Sequence, residues 1–253
     1  MLSTYLYTAQ NPGIITNGLV YYLEADNRNS YIGFGNVWNP LNNVNPPNPC
    51  NAFGSLVWTI TTKGNGSVYF GGLSSQIITS SACPFGSFSS TSQITLQMWI
   101  NVAAWPTSAE SYFVVPLSQV TTYGLAEFGI NIGLYGSPLY IQQFSVFTGN
   151  AGISANSTPA DINENLNQWY FVCGTFANSI MTVYVNGKSA ASGAYGSLGS
   201  TNTLPICIGQ QPYGGTAYYE FSGSIGHISI YNRYLSPAEI TSNFAATRGH
   251  YGV

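Results

Sequence analysis

Short apolar-rich runs of strand length punctuate most of this chain. Such runs recur as "GLVYYL", "LVWTIT", "SVYFGG", "QIITS", "ITLQMWINV", "YFVVPLS", "LAEFGINIG", "LYIQQFSVFTG", "QWYFVCGTF", "IMTVYVNG", "PICIGQ" and "GHISIYN". Clusters of Gly, Pro, Asn and Ser separate them, as turns between strands require. In "TVYVNGKSA", Asn186-Gly187 supplies the two positive-φ residues of a type I′ turn and predicts a tight hairpin. No helical pattern intervenes between these runs, which argues for a β-sandwich over a βαβ fold. The pattern changes near the end, in "FSGSIGHISIYNRYLSPAEITSNF". Ile225, His227, Ser229 and Tyr231 alternate with Gly226, Ile228, Ile230 and Asn232 as a last strand. Ser236 then stands as an N-cap, Pro237 at the first helical position and Glu239 where a capping box needs it. Leu235 and Ile240 flank the box as a hydrophobic staple. Ile240 and Phe244 share a helix face, and Arg248-Gly249 predicts the stop. The expected layout is an N-terminal arm over residues 1–15 and one domain over residues 16–253.

Several of these segments carry more than periodicity. "NGLVYYLEADNRNSYIGFGNVWNPL", "VYFGGLSSQIIT", "ITLQMWI", "NQWYFVCGTF", "MTVYVNGK", "ICIGQ" and the C-terminal strand–helix unit occur in this order. Together they resemble the laminin-G-like branch of the concanavalin A-like lectin/glucanase superfamily, over residues 17–250. The resemblance implies an all-β jelly roll of two antiparallel sheets, with the capped helix at the edge of the sandwich. Ile240 and Phe244 are then expected to plug an open end of the core, with Tyr231 and Leu235 setting the angle of the helix. The sequence also departs from the family pattern. The Leu-Asp-Ala motif reads Leu23-Glu24-Ala25, Pro40 replaces the Asp after Trp38, and Phe-Asp-Gly reads Phe70-Gly71-Gly72. Acids are thus lost at two family positions.

Composition narrows the functional classes. Only 5% of the 253 residues are charged and the formal net charge is −3, so no basic surface for nucleic acid or anionic lipid is expected. The 19 Tyr, 13 Phe and 5 Trp exclude a disordered chain. No apolar run reaches the ~18 residues of a membrane span, and "MLSTYLYTAQNPG" lacks the basic region and apolar core of a secretory leader. Cys50, Cys83, Cys173 and Cys207 form no CxxC pair, which argues against zinc. Cys173 and Cys207 read as core residues, while a Cys50–Cys83 disulfide stays open.

Candidate chemistry is sparse. Glu24-x-Asp26 resembles part of the Glu-x-Asp-x-x-Glu of glucanases with this fold, but Asn29 stands where the second Glu belongs, and retaining glycosidases need two carboxyl groups. A structural calcium could draw on Glu24 with Asp26, or Asp161 with Glu164; neither set supplies the 6–8 oxygens of a complete site. Neither a catalytic residue nor a resident cofactor is expected. Sugar binding needs no acid, because aromatic rings stack on pyranose faces and amides bond hydroxyls. Trp105, Tyr123, Gln210, Tyr213, Tyr218 and Tyr219 in the loops are the candidates, with Gln211 and Tyr112 beside them. The expected function is non-enzymatic: a lectin-like structural or surface protein of a virus particle, assembling through residues 1–15 and able to attach to glycans. Lone modules of this family are familiar in phage and large-virus proteins, and closed cyclic symmetry is the default for such a component. A soluble extracellular carbohydrate-binding adhesin is the alternative, and a glycoside hydrolase the weaker one.

Overall fold

The structure is a computed structural model. It describes residues 13–41, 49–53, 57–60, 66–71, 77–80, 93–104, 113–120, 126–135, 141–147, 154–156, 166–194, 205–213, 216–218 and 221–253. The strands run in order β1 (Leu19–Glu24), β2 (Val37–Trp38), β3 (Cys50–Phe53), β4 (Val57–Ile60), β5 (Gly66–Gly71), β6 (Ile77–Ser80), β7 (Ile94–Val102), β8 (Phe113–Val120) and β9 (Ala126–Tyr135). There follow β10 (Ile141–Phe147), β11 (Ser154–Asn156), β12 (Trp169–Ala177), β13 (Ile180–Val185), β14 (Lys188–Ala194), β15 (Ile206–Ile208), β16 (Gln211–Tyr213), β17 (Thr216–Tyr218) and β18 (Ser222–Tyr231), closed by α1 (Pro237–Tyr251). Every strand expected from the strand-like runs is present. The short strands β2, β3, β11, β16 and β17 were not expected.

Among the described residues these strands form two eight-stranded antiparallel sheets and one small hairpin. The first sheet is ordered β14-β13-β12-β7-β18-β5-β4, with β1 also paired to β18. The second is ordered β11-β10-β9-β8-β15-β6-β3-β2. Leu96, Met98, Ile100, Val172, Val183, Ile228 and Ile230 of the first sheet meet Leu117, Ile130, Ile206 and Ile208 of the second in one buried core. Asn186 and Gly187 both have positive φ (49° and 78°) and join β13 to β14 as the expected tight turn.

Strand β18 organises the first sheet. Its first half pairs with β5 on the side where its second half pairs with β1, and β7 runs along the other side. A bulge between Ile225 and His227 marks the change. An inserted residue swaps the faces of the side chains that follow. Hence Ile225, Ile228 and Ile230 all enter the inter-sheet core while His227, Ser229 and Tyr231 face outward. A simple alternation through Gly226 would have put Ile225 with His227.

The helix does not plug an end of the sandwich. It lies on the outer face of the first sheet, where Trp99, Phe171, Cys173, Tyr184 and Tyr231 meet Leu235, Ile240 and Tyr251 of the helical unit in a second buried cluster. This explains why β12 is buried at every position: sheet core lies on one face and helix on the other. Trp99 stacks on Tyr251 (centroids 4.3 Å apart) and Phe244 (5.8 Å). The helix start is as expected. The Glu239 N–H donates to Ser236 Oγ (3.3 Å) and the Ser236 N–H to Glu239 Oε2 (2.8 Å). Arg233 adds two bonds to the same carboxylate, at 2.7 and 3.1 Å, and holds it down to about 2. The helix runs past Gly249 to Tyr251 and ends at Gly252 in the left-handed conformation (φ 78°). Stacking of Tyr251 on Trp99 outweighs the roughly 1 kcal/mol that a helical glycine costs.

The pairing of Cys50, left open by the sequence, is resolved here. Cys50 is a free, buried thiol 2.9 Å from the Tyr21 hydroxyl, and burial pushes it up to about 12. Cys173 and Cys207 are free and buried, as expected. Cys83 lies outside the described residues.

Candidate functional site

The aromatic loop expected near residue 210 is a two-stranded hairpin. Strands β16 and β17 pair Gln211 with Tyr218 and Tyr213 with Thr216, so the two tyrosines lie on one small ribbon. Gln210 precedes it and is only 2% exposed; its Oε1 lacks a hydrogen-bond partner among the described residues. Trp105, Tyr112, Tyr123 and Tyr219 lie outside the described residues, as do Asp161 and Glu164.

The acids follow a different course. Glu24 ends β1 opposite His227 of β18, on the outer face that the helix covers. Its Oε2 accepts the Tyr22 hydroxyl at 2.9 Å and lies 3.7 Å from His227 Nδ1. Burial disfavours both charged forms. It pushes the carboxyl up to about 8, an effect that the Tyr22 hydrogen bond partly offsets, and takes the imidazole down to about 3. At neutral pH the two groups are therefore a neutral acid beside a neutral imidazole. From His227 a polar chain continues inward. His227 Nε2 lies 3.2 Å from Ser229 Oγ, which donates to Gln97 Oε1 at 3.3 Å. Asn243 Nδ2 donates to Gln97 Oε1 (2.9 Å) and to the Tyr231 oxygen (3.0 Å), and Asn243 Oδ1 accepts the Ile15 N–H (2.8 Å). The Tyr231 hydroxyl donates to the Ile15 carbonyl at 3.0 Å. Ile15, assigned in the sequence to the arm, thus docks on the helix, and Ile14 beside it is buried.

This buried pair has the composition of an acid–base dyad without its access. Glu24 is 8% exposed and His227 1%. Asp26 does not join them as a second carboxylate facing a substrate, because its Oδ1 accepts the Gly66 N–H at 2.7 Å. The same engagement leaves residues 24 and 26 a poor calcium cage, and no cluster of three His, Cys, Asp or Glu occurs among the described residues. Sequence reading treated Glu24 and His227 separately. Their partnership depends on the β1–β18 register, which no local pattern reveals.

Comparison with known proteins places this geometry. A family model described as the concanavalin A-like lectin/glucanases superfamily matches residues 70–241. No curated protein sequence matches. Among solved structures, domain 4 of the GH43 extracellular arabinanase from Geobacillus stearothermophilus, in complex with arabinotriose, is 16% identical with a TM-score of 0.59. The match covers 89% of this chain and 97% of that domain. The binding domain of botulinum neurotoxin DC in complex with SialylT is 12% identical with a TM-score of 0.63, over 90% of this chain and 51% of that one. Trypanosoma rangeli sialidase in complex with the inhibitor DANA is 18% identical with a TM-score of 0.58, over 91% and 33%. The chain spans about half the length of several structures it matches. At these identities the likeness is one of fold, a lectin-like jelly roll. The family match extends over more than half of the sequence, from β5 into the helix, and the chain belongs to the concanavalin A-like lectin/glucanases superfamily.

Proposed function

We propose that this protein is a non-catalytic, glycan-binding module. The observation that carries the reading is the likeness to a domain of matching length whose structure is in complex with a saccharide, arabinotriose. The neurotoxin binding domain in complex with SialylT supports it. The state of the acids whose side chains are described, Glu24, Asp26 and Glu239, supports a non-catalytic reading. Glu24 is sealed under the helix, Asp26 holds a backbone amide, and Glu239 is bound by Arg233 and Ser236. A glycoside hydrolase needs two carboxyl groups facing one bond, and none of these three faces open surface as part of such a pair.

The setting we propose is the surface of a virus particle, with a free extracellular adhesin as the alternative. A weakly charged surface of Asn, Gln, Ser, Thr and Tyr supports either. Assembly through the N-terminal segment is tested by truncation after residue 12, because a cut after residue 15 would also remove the Ile15 contacts to Asn243 and Tyr231. The shorter cut is expected to leave a folded domain that no longer joins particles; unchanged incorporation would exclude the segment.

A glycan-array screen of the purified chain, with and without EDTA, tests the main reading. Reproducible binding to one sugar class, unaffected by EDTA and without hydrolysis of the bound sugar, is expected. Silence in both conditions would overturn it.

A further inference from the structure

The stretch after β1, "YIGFGNVW", inverts the usual placement of apolar residues. Tyr31 and Trp38 at its ends are fully buried and meet edge to face, with centroids 6.4 Å apart. Between them Ile32 is 47% exposed, Val37 40% and Phe34 70%, the most exposed large apolar side chain among the described residues. An exposed apolar ring on a loop is unremarkable when the loop is loosely held. Here it is tied at both ends and in the middle. The Asn39 N–H donates to the Ser30 carbonyl (2.8 Å) and Ser30 Oγ to the Asn39 carbonyl (2.6 Å). The Tyr31 hydroxyl donates to the Gly35 carbonyl (3.3 Å) and the Ala52 N–H to the Asn36 carbonyl (2.7 Å). Arg28 donates to the Ile32 carbonyl, and its guanidinium lies over the Trp58 ring at 5.1 Å.

The backbone on either side of the ring is also specialised. Gly33 and Gly35 both have positive φ, at 94° and 84°. A Cβ on Gly33 would stand 2.1 Å from Arg28 Nη1, so this glycine admits the guanidinium as well as the turn. Gly35 has open space around it, so its need is conformational alone. The two glycines and the buried ends hold Phe34 outward on a fixed pedestal. Ordering costs at a binding surface are avoided when the surface is built beforehand.

The surroundings decide what such a ring would meet. The apolar area is one phenyl ring with two aliphatic neighbours, interrupted by glycine backbone, and is small for a protein–protein contact. Its exposed neighbours in sequence and across the β2–β3 pair are Arg28, Asn36, Asn39 and Asn51. These are hydroxyl-binding groups, and the cation has its planar fork oriented by the Trp58 ring. A saccharide presents a matching pattern: one apolar C–H face with hydroxyls around its rim. We propose that Phe34, with Arg28 and Asn36 beside it, forms a saccharide-binding site at the loop after β1, distinct from the hairpin at residues 211–218. The proposal rests on the glycan-binding reading above and assigns that function a place.

The test uses the full chain and its Phe34→Ala and Phe34→Trp variants. The probes are an immobilised panel of arabinotriose, neutral oligosaccharides and sialylated oligosaccharides. Phe34→Ala is expected to weaken binding of the sugar taken by the wild type by at least tenfold, with an unchanged melting temperature. Phe34→Trp is expected to keep binding, because a larger ring still stacks. If Phe34→Ala binds as the wild type does, this site is overturned and the glycan-binding reading stands. If the wild type binds no sugar, both fall. If Phe34→Ala changes the oligomeric state while sugar binding persists, the ring belongs to a protein contact and the saccharide site is overturned.

Discussion

Glu24 and Phe34 are separated by a single turn and loop, yet they are placed against their chemistry in opposite senses. The charged-type residue is sealed inside, beside an imidazole and beneath a helix; the hydrocarbon ring stands in water. The difference shows that burial in this molecule is decided by what covers a strand face, not by the residue on it. The outer face of the first sheet mixes the rings of Trp99, Phe171 and Tyr231 with the polar groups of Glu24, Gln97, His227 and Ser229, all of which a bare sandwich would leave in water. Once α1 lies across it, its polar residues must find partners among themselves. The chain from Glu24 through His227, Ser229, Gln97 and Asn243 to Ile15 is the result. The stretch 31–38 has the converse history: its ends, Tyr31 and Trp38, supply the buried anchors, so its middle is free to display what the core does not need.

The contrast can be broken most severely at Trp99. It stacks on Tyr251 and Phe244, packs on Phe171 and donates to Thr247 Oγ1 at 2.8 Å. Trp99→Ala is expected to cost about 3–5 kcal/mol in denaturant unfolding. A loss below about 1 kcal/mol would mean that the helix contributes little to the cover. Gly226→Ala attacks the same contact from the strand. A Cβ there would stand 2.5 Å from the Tyr251 hydroxyl, so overpacking of about 1–3 kcal/mol is expected, together with fraying of the last helical turn in amide exchange. Asn243→Ala would strip partners from the Ile15 N–H, Gln97 and Tyr231, and about 1–3 kcal/mol is the expected cost.

A gentler probe is pH. Unfolded, the carboxyl and imidazole titrate near 4.5 and 6.5; folded, at about 8 and about 3. Between pH 4.5 and 6.5 the unfolded chain holds one proton on His227 and the folded chain one on Glu24, so their contribution to stability is flat. Above 6.5 only the folded chain keeps its proton, and stability falls as pH rises towards 8. Below 4.5 the unfolded chain binds two and the folded chain one, so stability falls again on acidification. Glu24→Gln is expected to remove the alkaline fall and to start the acid fall near 6.5. A variant with the wild-type profile would show that the pair does not titrate in this way. The smallest effect is expected on the exposed side, where Phe34→Ala should change stability by no more than about 0.5 kcal/mol. A larger loss would make the ring part of the fold.

How much of this was legible in the sequence varied with the range of the interaction. The capping box at Ser236 and Glu239, the turn at Asn186-Gly187 and the long strands are local, and local signals located them. The helix stop was misread at Gly249 because its continuation depends on Tyr251 meeting Trp99, a contact far apart in sequence. The docking face of the helix was misread for a related reason. Ile240 and Phe244 identify an apolar stripe but not the surface it covers, which follows from the outward set Trp99, Phe171 and Tyr231. The bulge in β18 also escaped a period-two reading. For the candidate site, the sequence reading did not single out Gly33-Phe34-Gly35. That Phe34 stands 70% exposed there follows only from the burial of Tyr31 and Trp38.

The position of β18 has a consequence in time. This late strand is the hydrogen-bonded neighbour of β1, β5 and β7 at once. During synthesis those three strands emerge early and have a vacant lane between them until residue 231 leaves the ribosome. Pairings of such wide sequence separation form slowly, and unpaired edges invite pairing with other chains meanwhile. The nascent chain that has not yet released β18, holding sheet edges but lacking their shared neighbour, is thus the species most exposed to misassembly, and chaperone contact is expected to concentrate there.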